Sequence, residues 1–432
     1  MIASPFLTAV DEARLKIRGS RDPLGLVPLW GNLGRKVVTN LTTASTTIRG
    51  FTTLLLGYYF AEESAPTGRE RDAFRLGAFL KIEQLAAYAR WSVNGDGDLR
   101  GISEVRRRLS EDEPLVIGAD SAGQILSNQK TYGLWGLYTM PARASGLLER
   151  DELVLTAEAR EFVERQYVPI LAKARLIDRV RQIMGRDRTI LDRKGRDRGL
   201  LETLGTVLRP TPLAVEREFY TSYLVLARGA DPRQVEFAEI VESELPHGEE
   251  FSLQQLIACV GKARARKYDE LADSLERIRD LEALLVPLAS LFSFVQQRDG
   301  VALGDVVTQI RKSWGASGLK AINPAAIVAL RATIEHVYGD AATSKRFEVI
   351  AESLNRGEYR ASVDAVVEHN AFVMSQRGGA EPWVVVTDGR LDVRYRDDGA
   401  PELPTRDELR HAWRDSFYLD PLKTIADQLR AA

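Results

Sequence analysis

The densest chemistry in the sequence is cationic. Between Lys173 and Arg198, "KARLIDRVRQIMGRDRTILDRKGRDR" holds ten basic and four acidic residues, ten minus four, a local charge of +6. Guanidinium and ammonium groups at this density displace the counterions condensed on a phosphate backbone. Arg175, Arg179, Arg186, Arg188, Arg193, Lys194, Arg196 and Arg198 are therefore the candidate nucleic-acid-binding residues. The alternation of Asp with Arg equally describes a solvated loop that pairs its own charges. No aromatic residue interrupts the run, so base stacking on single strands is not indicated. The expected partner is double-stranded DNA, held by its backbone with little sequence preference.

Other reactive groups are scattered. His247, His336, His369 and His411 stand far apart, without the spacing that brings imidazoles onto one metal. His369-Asn370, with Arg377 and a Gly-Gly pair before Trp383, is the densest polar cluster beside apolar elements; a helix end with a glycine turn explains it as well. "NGDGD" at 94–98 resembles the start of a calcium loop, but the twelfth position counted from Asp96 is Arg107, where the bidentate glutamate belongs. "GLVPLWGNLGRKV" follows Gly34 with Arg35, Lys36 and Val37 and has no hydroxyl for magnesium, so a phosphate-binding loop fails on chemistry as well as spacing. Asp388, Asp392, Asp397 and Asp398 offer nuclease-like carboxylates, but Arg390 and Arg394 stand where a lysine is wanted. Cys259, the single cysteine, sits in "LQQLIACVG" and reads as a small buried thiol. It excludes an internal disulfide framework and a multi-cysteine zinc site. No catalytic residue, metal or cofactor is expected.

The elements that must position the basic run are helical. With 432 residues, 44% of them apolar, the chain has material for several cores, and 59 basic against 61 acidic residues leave any positive surface local. The N-terminus lacks a signal-peptide pattern, and the longest apolar run, "FTTLLLGYYFA", is too short to span a membrane. A reducing, cytoplasmic setting without membrane contact is the expectation. Eight Ser or Thr residues from Thr39 to Thr53 suit caps and tight packing, and also phosphate. "RERDAFRLGAFLKIEQLAAYARW" has a helical period with a partly double-sided apolar face, the mark of a helix buried between others. Residues 101–170 predict helices over "SEVRRRLSEDE", "SAGQILSNQ", "KTYGLWGLYTM" and, begun by Pro141, "PARASGLL"; then come a β-prone "ELVL" and a helix capped by Thr156. From 268 to 297 an apolar stripe runs through Leu271, Leu275, Ile278, Leu281, Leu285, Leu288, Phe292 and Val295, with Pro287 expected to kink or split it near Val286. Lys262, Arg264, Arg266 and Lys267 precede that helix, the unfavourable end of its dipole, which suggests an external anion or acidic partner. "WVVVT", Asp388-Gly389 and "RLDVRY" predict a β-hairpin with a type I′ turn, one face covered by the final helices.

"SGLLE…LVLTAEAREFVE" resembles the ending of winged-helix modules, although only one strand is visible where a wing needs two. More broadly, "GLVPLWGNLGRKVVTNLTTASTTIRGFTTLLLGYYF", "KTYGLWGLYTMPARASGLL" and "EPWVVVTDGRLDVRY" resemble an uncharacterised bacterial family associated with restriction and phage-defence gene clusters. That resemblance carries no catalytic residues and implies a non-catalytic subunit. The expected fold is mainly α, a multi-helix protein with a winged-helix-like module and a small C-terminal β-hairpin. Its expected segments are 1–100 (helical), 101–170 (winged-helix-like), 171–300 (basic strip and long amphipathic helix) and 301–432 (helical with the hairpin). The expected function is a DNA-binding accessory subunit, with other protein subunits as partners. The alternatives are a protein scaffold of a larger complex and a nucleic-acid-processing enzyme whose site is dispersed in sequence.

Overall fold

The computed structural model describes residues 22–68, 70–111, 114–227, 231–396 and 402–430. The N-terminal stretch read against a signal peptide, and Asp397 and Asp398, lie outside the described residues. The protein is mainly helical and forms two compact units, Val38–Glu250 with Tyr418–Ala432, and Met1–Val37 with Phe251–Phe417.

In the 38–250 unit, helices α1 (Ile48–Glu63) and α2 (Arg71–Asn94) form the centre. Every residue of α1 from Ile48 to Ala61 is buried, so "FTTLLLGYYFA" is core. A Cβ on Gly57 would stand 2.6 Å from the Phe79 ring; glycine there lets the two helices close. Tyr58, Phe79 and Trp135 cluster with ring centroids 5.0 to 5.3 Å apart. The hydroxyls between Thr39 and Thr53 largely serve packing: Thr39 Oγ1 donates to Gln234 at 2.9 Å, Thr52 bonds the Tyr220 hydroxyl at 2.9 Å, and Thr53 donates to the Arg49 carbonyl. Buried Arg49 pairs with buried Glu216 at 2.7 Å, and the Tyr167 hydroxyl donates to the same carboxylate. Burial opposes ionisation of Glu216, yet Arg49 holds it below the ordinary carboxylate range.

The 101–170 segment departs from its expected order. Helix α3 (Ile102–Ser110) is followed by an unforeseen strand β1 (Leu115–Gly118), and "SAGQILSNQ" is a turn rather than a helix. That turn closes tightly: a Cβ on Gly123 would meet the Gly118 backbone at 2.4 Å, and the Asp120 carbonyl accepts from the Gly123 and Gln124 N–H groups. Pro141 does not open a helix but lies inside α4 (Leu134–Ala144), where it leaves the Leu137 carbonyl without its helical donor. An antiparallel bridge, Leu148 to Leu155, then leads to Thr156, whose hydroxyl caps α5 (Ala157–Gln166) by accepting from Ala159 N–H. Helix α6 (Ile177–Gly185) precedes strand β2 (Arg188–Leu191), antiparallel to β1 with Gly118 opposite Arg188. Helix Leu419–Arg430 completes this unit by packing on Pro232–Glu244 and Ala214–Tyr220.

In the other unit, α7 (Leu253–Ala265) packs on the 28-residue spine α8 (Asp269–Gln296). Pro287 does not split that spine. It forfeits one N–H, to the Ala283 carbonyl, while Leu284, Leu285, Leu288 and Leu291 hold both flanks in the core. The dipole mismatch also disappears, because Lys262 and Arg264 occupy the last turn of α7, a favourable end for cations. Arg264 is further matched to Asp273 and Glu276 at 2.5 and 3.0 Å. Strands β3 (Val384–Thr387) and β4 (Arg390–Val393) form the expected hairpin, Val384 opposite Val393, with Asp388 and Gly389 at φ 50° and 75° as a type I′ turn requires. Its cover is not the last helix, which belongs to the other unit. Helix α9 (Tyr359–Gln376) packs against β3, while residues 300–303 exchange backbone bonds with Gly389 and Leu391. Helix α10 (Arg406–His411), opened by a Thr405–Glu408 capping box, packs on α8. Among the described residues no helix is long and apolar enough to cross a membrane.

Candidate nucleic-acid interface

The basic run is built on a two-stranded ribbon. Along β2, Thr189 and Leu191 turn inward while Arg188 and Ile190 face out, Ile190 63% exposed. Its approach is fixed from the core: buried Lys81 of α2 donates to the carbonyls of Met184 and Arg186 at 2.9 and 2.5 Å. Burial lowers the Lys81 pKa, although Asp187 opposes the shift.

The eight candidate cations divide by how they are held. Arg179 grips Asp197 with both Nε and Nη2, at 2.7 and 2.9 Å, and that carboxylate is fully buried. Arg196 reaches the same carboxylate at 3.4 Å. Arg193 donates to the Leu109 carbonyl at 3.1 Å, Arg188 pairs with Asp120, and Arg198 pairs with Glu202 at 2.8 Å. Lys194 is exposed. Arg175 and Arg186 are exposed and make no ion pair among the described residues. The Arg179–Asp197 pair is a lock on the loop, since breaking it would strand a buried charge. The Arg188 and Arg198 pairs are more than 40% exposed on both sides, where an ion pair contributes about 0–1 kcal/mol and a phosphate can take the carboxylate's place.

A chain of buried amides runs inward from the ribbon. Gln84 brackets Gly118, donating to its carbonyl at 2.8 Å and accepting from its N–H at 3.0 Å; it also bonds Gln129, which donates to Glu83 Oε2 at 2.8 Å. Glu83 Oε1 accepts the Leu134 N–H at 2.7 Å, so this carboxyl starts α4. A Cβ on Gly133 would approach it to 2.7 Å. Burial pushes the Glu83 carboxyl up to about 7. Glu83 also lines a cavity of about 260 Å³ with Thr46, Thr47, Arg90, Arg100 and Tyr138. That wall offers hydroxyls, guanidinium groups and a carboxyl titrating near neutrality, with no Ser, Cys or His among its lining residues. Sequence reading passed over Lys81, Glu83 and Gln84. Their signal was "LKIEQL", three polar residues inside a helix apolar on two faces.

The histidines do not converge. His369 is fully buried in α9 and bonds the Leu24 carbonyl, Asn370 accepts the Trp383 N–H, and Arg377 faces Asp22 at 3.7 Å. Asp392 lies beside Arg394, at 3.7 Å. Among the described residues no group of three or more His, Cys, Asp or Glu side chains could hold a metal ion. Burial raises the Cys259 thiol to about 12, which keeps it in the unreactive protonated form. Scans of protein-family models, of curated proteins and of solved structures each find no match to this chain.

Proposed function

We propose that the 38–250 unit contacts the phosphate backbone of double-stranded DNA through the β1–β2 ribbon and its flanking loops, as a non-catalytic accessory subunit. The supporting observation is the outward pair Arg188 and Ile190 on a ribbon rooted in the core, with Arg186 exposed two residues before it. The helix–bridge–helix order through Thr156 supports a winged-helix reading of the neighbouring segment. A cytoplasmic setting and membership of a phage-defence assembly belong to the same proposal, the latter resting on the sequence resemblance.

Arg175 and Arg186 make no ion pair among the described residues, and a phosphate can displace the carboxylates of Arg188 and Arg198, so about four contacts set a salt slope of about −3.6 against about −7 for eight. Fluorescence anisotropy of a labelled duplex over a salt series measures it. Arg175→Gln/Arg186→Gln/Arg188→Gln should bring the slope to about −1, whereas Arg179→Gln should destabilise the loop. No binding at low salt, or an unchanged slope in the triple variant, rejects the proposal. A protein scaffold is the second reading. It is favoured by the same ion pairs, which neutralise much of the strip, and by exposed Tyr132, Met140 and Ile190 at 53%, 64% and 63%.

A further inference from the structure

The 251–417 unit holds a cavity of about 190 Å³ with apolar walls from Leu253, Ile257, Leu319 and Leu409. Three arginines border it. Arg279 is occupied by Asp280 at 2.9 Å, and Arg410 by Asp407 at 3.3 Å. Arg406 differs: among the described residues it has no ion pair, its Nη2 reaches only the Leu319 carbonyl at 3.4 Å, and its Nε is buried without an acceptor.

Neither carboxyl on the cavity wall pairs with it: Asp280 is held by Arg279, and Glu282 is turned to the backbone. Glu282 is 1% exposed, and its Oε1 accepts from the N–H groups of Arg414 and Asp415 at 2.6 and 3.0 Å. No donor reaches its Oε2. Burial, reinforced by the Asp415 carboxyl, holds Glu282 protonated well above the ordinary carboxylate range. A half-buried guanidinium without a counter-charge is costly, and so is a buried N–H without an acceptor.

The geometry points to this cavity as a binding site for a small carboxylate with an apolar body, its anion on Arg406 and its hydrocarbon among Leu253, Ile257, Leu319 and Leu409. The anion supplies both the missing charge and the missing acceptor. Burial favours the protonated form of Glu282 and Arg279 offsets Asp280, so the wall carboxyls add little repulsion. The volume lies below the roughly 300–1,000 Å³ of drug-sized pockets, which selects a single-ring or short-chain acid. This inference concerns the unit without the basic strip and does not depend on DNA contact.

The test uses the full chain and 4-fluorobenzoate, followed by fluorine line broadening, with 4-fluorobenzamide as the uncharged comparison. The acid should bind in the millimolar range or tighter and about tenfold better than the amide, as expected for a charge-assisted bond. Arg406→Gln should remove that preference. Ile257→Trp, at an exposed position of α7, should fill the cavity and abolish binding with an unchanged melting curve. Absent binding, equal binding of acid and amide, or full binding by Ile257→Trp overturns the assignment. The last two comparisons stand even if Arg406→Gln does not fold.

Discussion

Two buried ionisable side chains, one in each unit, respond to pH in opposite directions. His369 is pushed down to about 4 by burial, with Arg346 adding to the shift. Between its unfolded value near 6.5 and pH 4, the unfolded chain takes up a proton that the folded one refuses. Its contribution is therefore complete above about pH 6.5 and lost as pH falls through 4, by about 3 kcal/mol. Glu83 is raised to about 7, so its contribution is complete below about pH 4.5 and lost as pH rises through 7. Urea midpoints measured from pH 4 to 8 should show both limbs. His369→Gln should reduce the acid limb and Glu83→Gln the alkaline one, to which Glu282 also contributes, and a limb unchanged in its own variant would refute the assignment. Neither shift was legible in the sequence. The partners that surround Glu83 and His369, the Leu134 N–H and the Leu24 carbonyl, lie far off in sequence, whereas the inert Cys259 could be inferred from its apolar neighbours.

At the scale of elements, legibility followed the strength of the local rule. The hairpin could be placed because Asp-Gly meets the positive φ demanded by a type I′ turn, and Thr156 could be placed as a cap because its hydroxyl acts three residues away. The β1–β2 ribbon could not. Its strands are four residues each, their pairing joins residues seventy or more apart, and β2 is hidden within a charge run. For a related reason Pro287 does not split α8: one lost hydrogen bond is local, while the core holding α8 on both sides is not. The α1–α2 contact tests this weight of packing. Gly57→Ala places a methyl 2.6 Å from the Phe79 ring, and overpacking of this kind costs about 1–3 kcal/mol. Calorimetry should show a lower Tm for Gly57→Ala, with recovery in Gly57→Ala/Phe79→Leu. An unchanged Tm would mean that the two helices are not in close contact.

At the scale of the whole molecule, the chain's order is not the order of its cores. The 38–250 unit takes its last helix from Leu419–Arg430, where Leu419, Leu422, Ile425 and Leu429 are buried. There Lys423 donates to the Glu249 carbonyl and to Asp427, at 2.7 and 2.6 Å. Burying four such apolar side chains contributes about 6–12 kcal/mol, comparable with the total stability of a domain. A chain ending at Phe417 should thus lose hydrogen-exchange protection in Pro232–Glu244 and Ala214–Tyr220. A peptide spanning 418–432 should restore it, and full protection without the peptide would contradict this account.

The same arrangement imposes a schedule on biosynthesis. When Glu250 leaves the ribosome, the seat for the final helix is open, and it stays open while the whole 251–417 unit is made. At about 5–20 residues per second that interval is on the order of ten seconds or more, long compared with collapse and helix formation. Throughout it the nascent chain displays an apolar groove where the Leu419–Arg430 helix will pack. Any product that stops short of Leu419 would carry that groove permanently, exposed to chaperones and proteases.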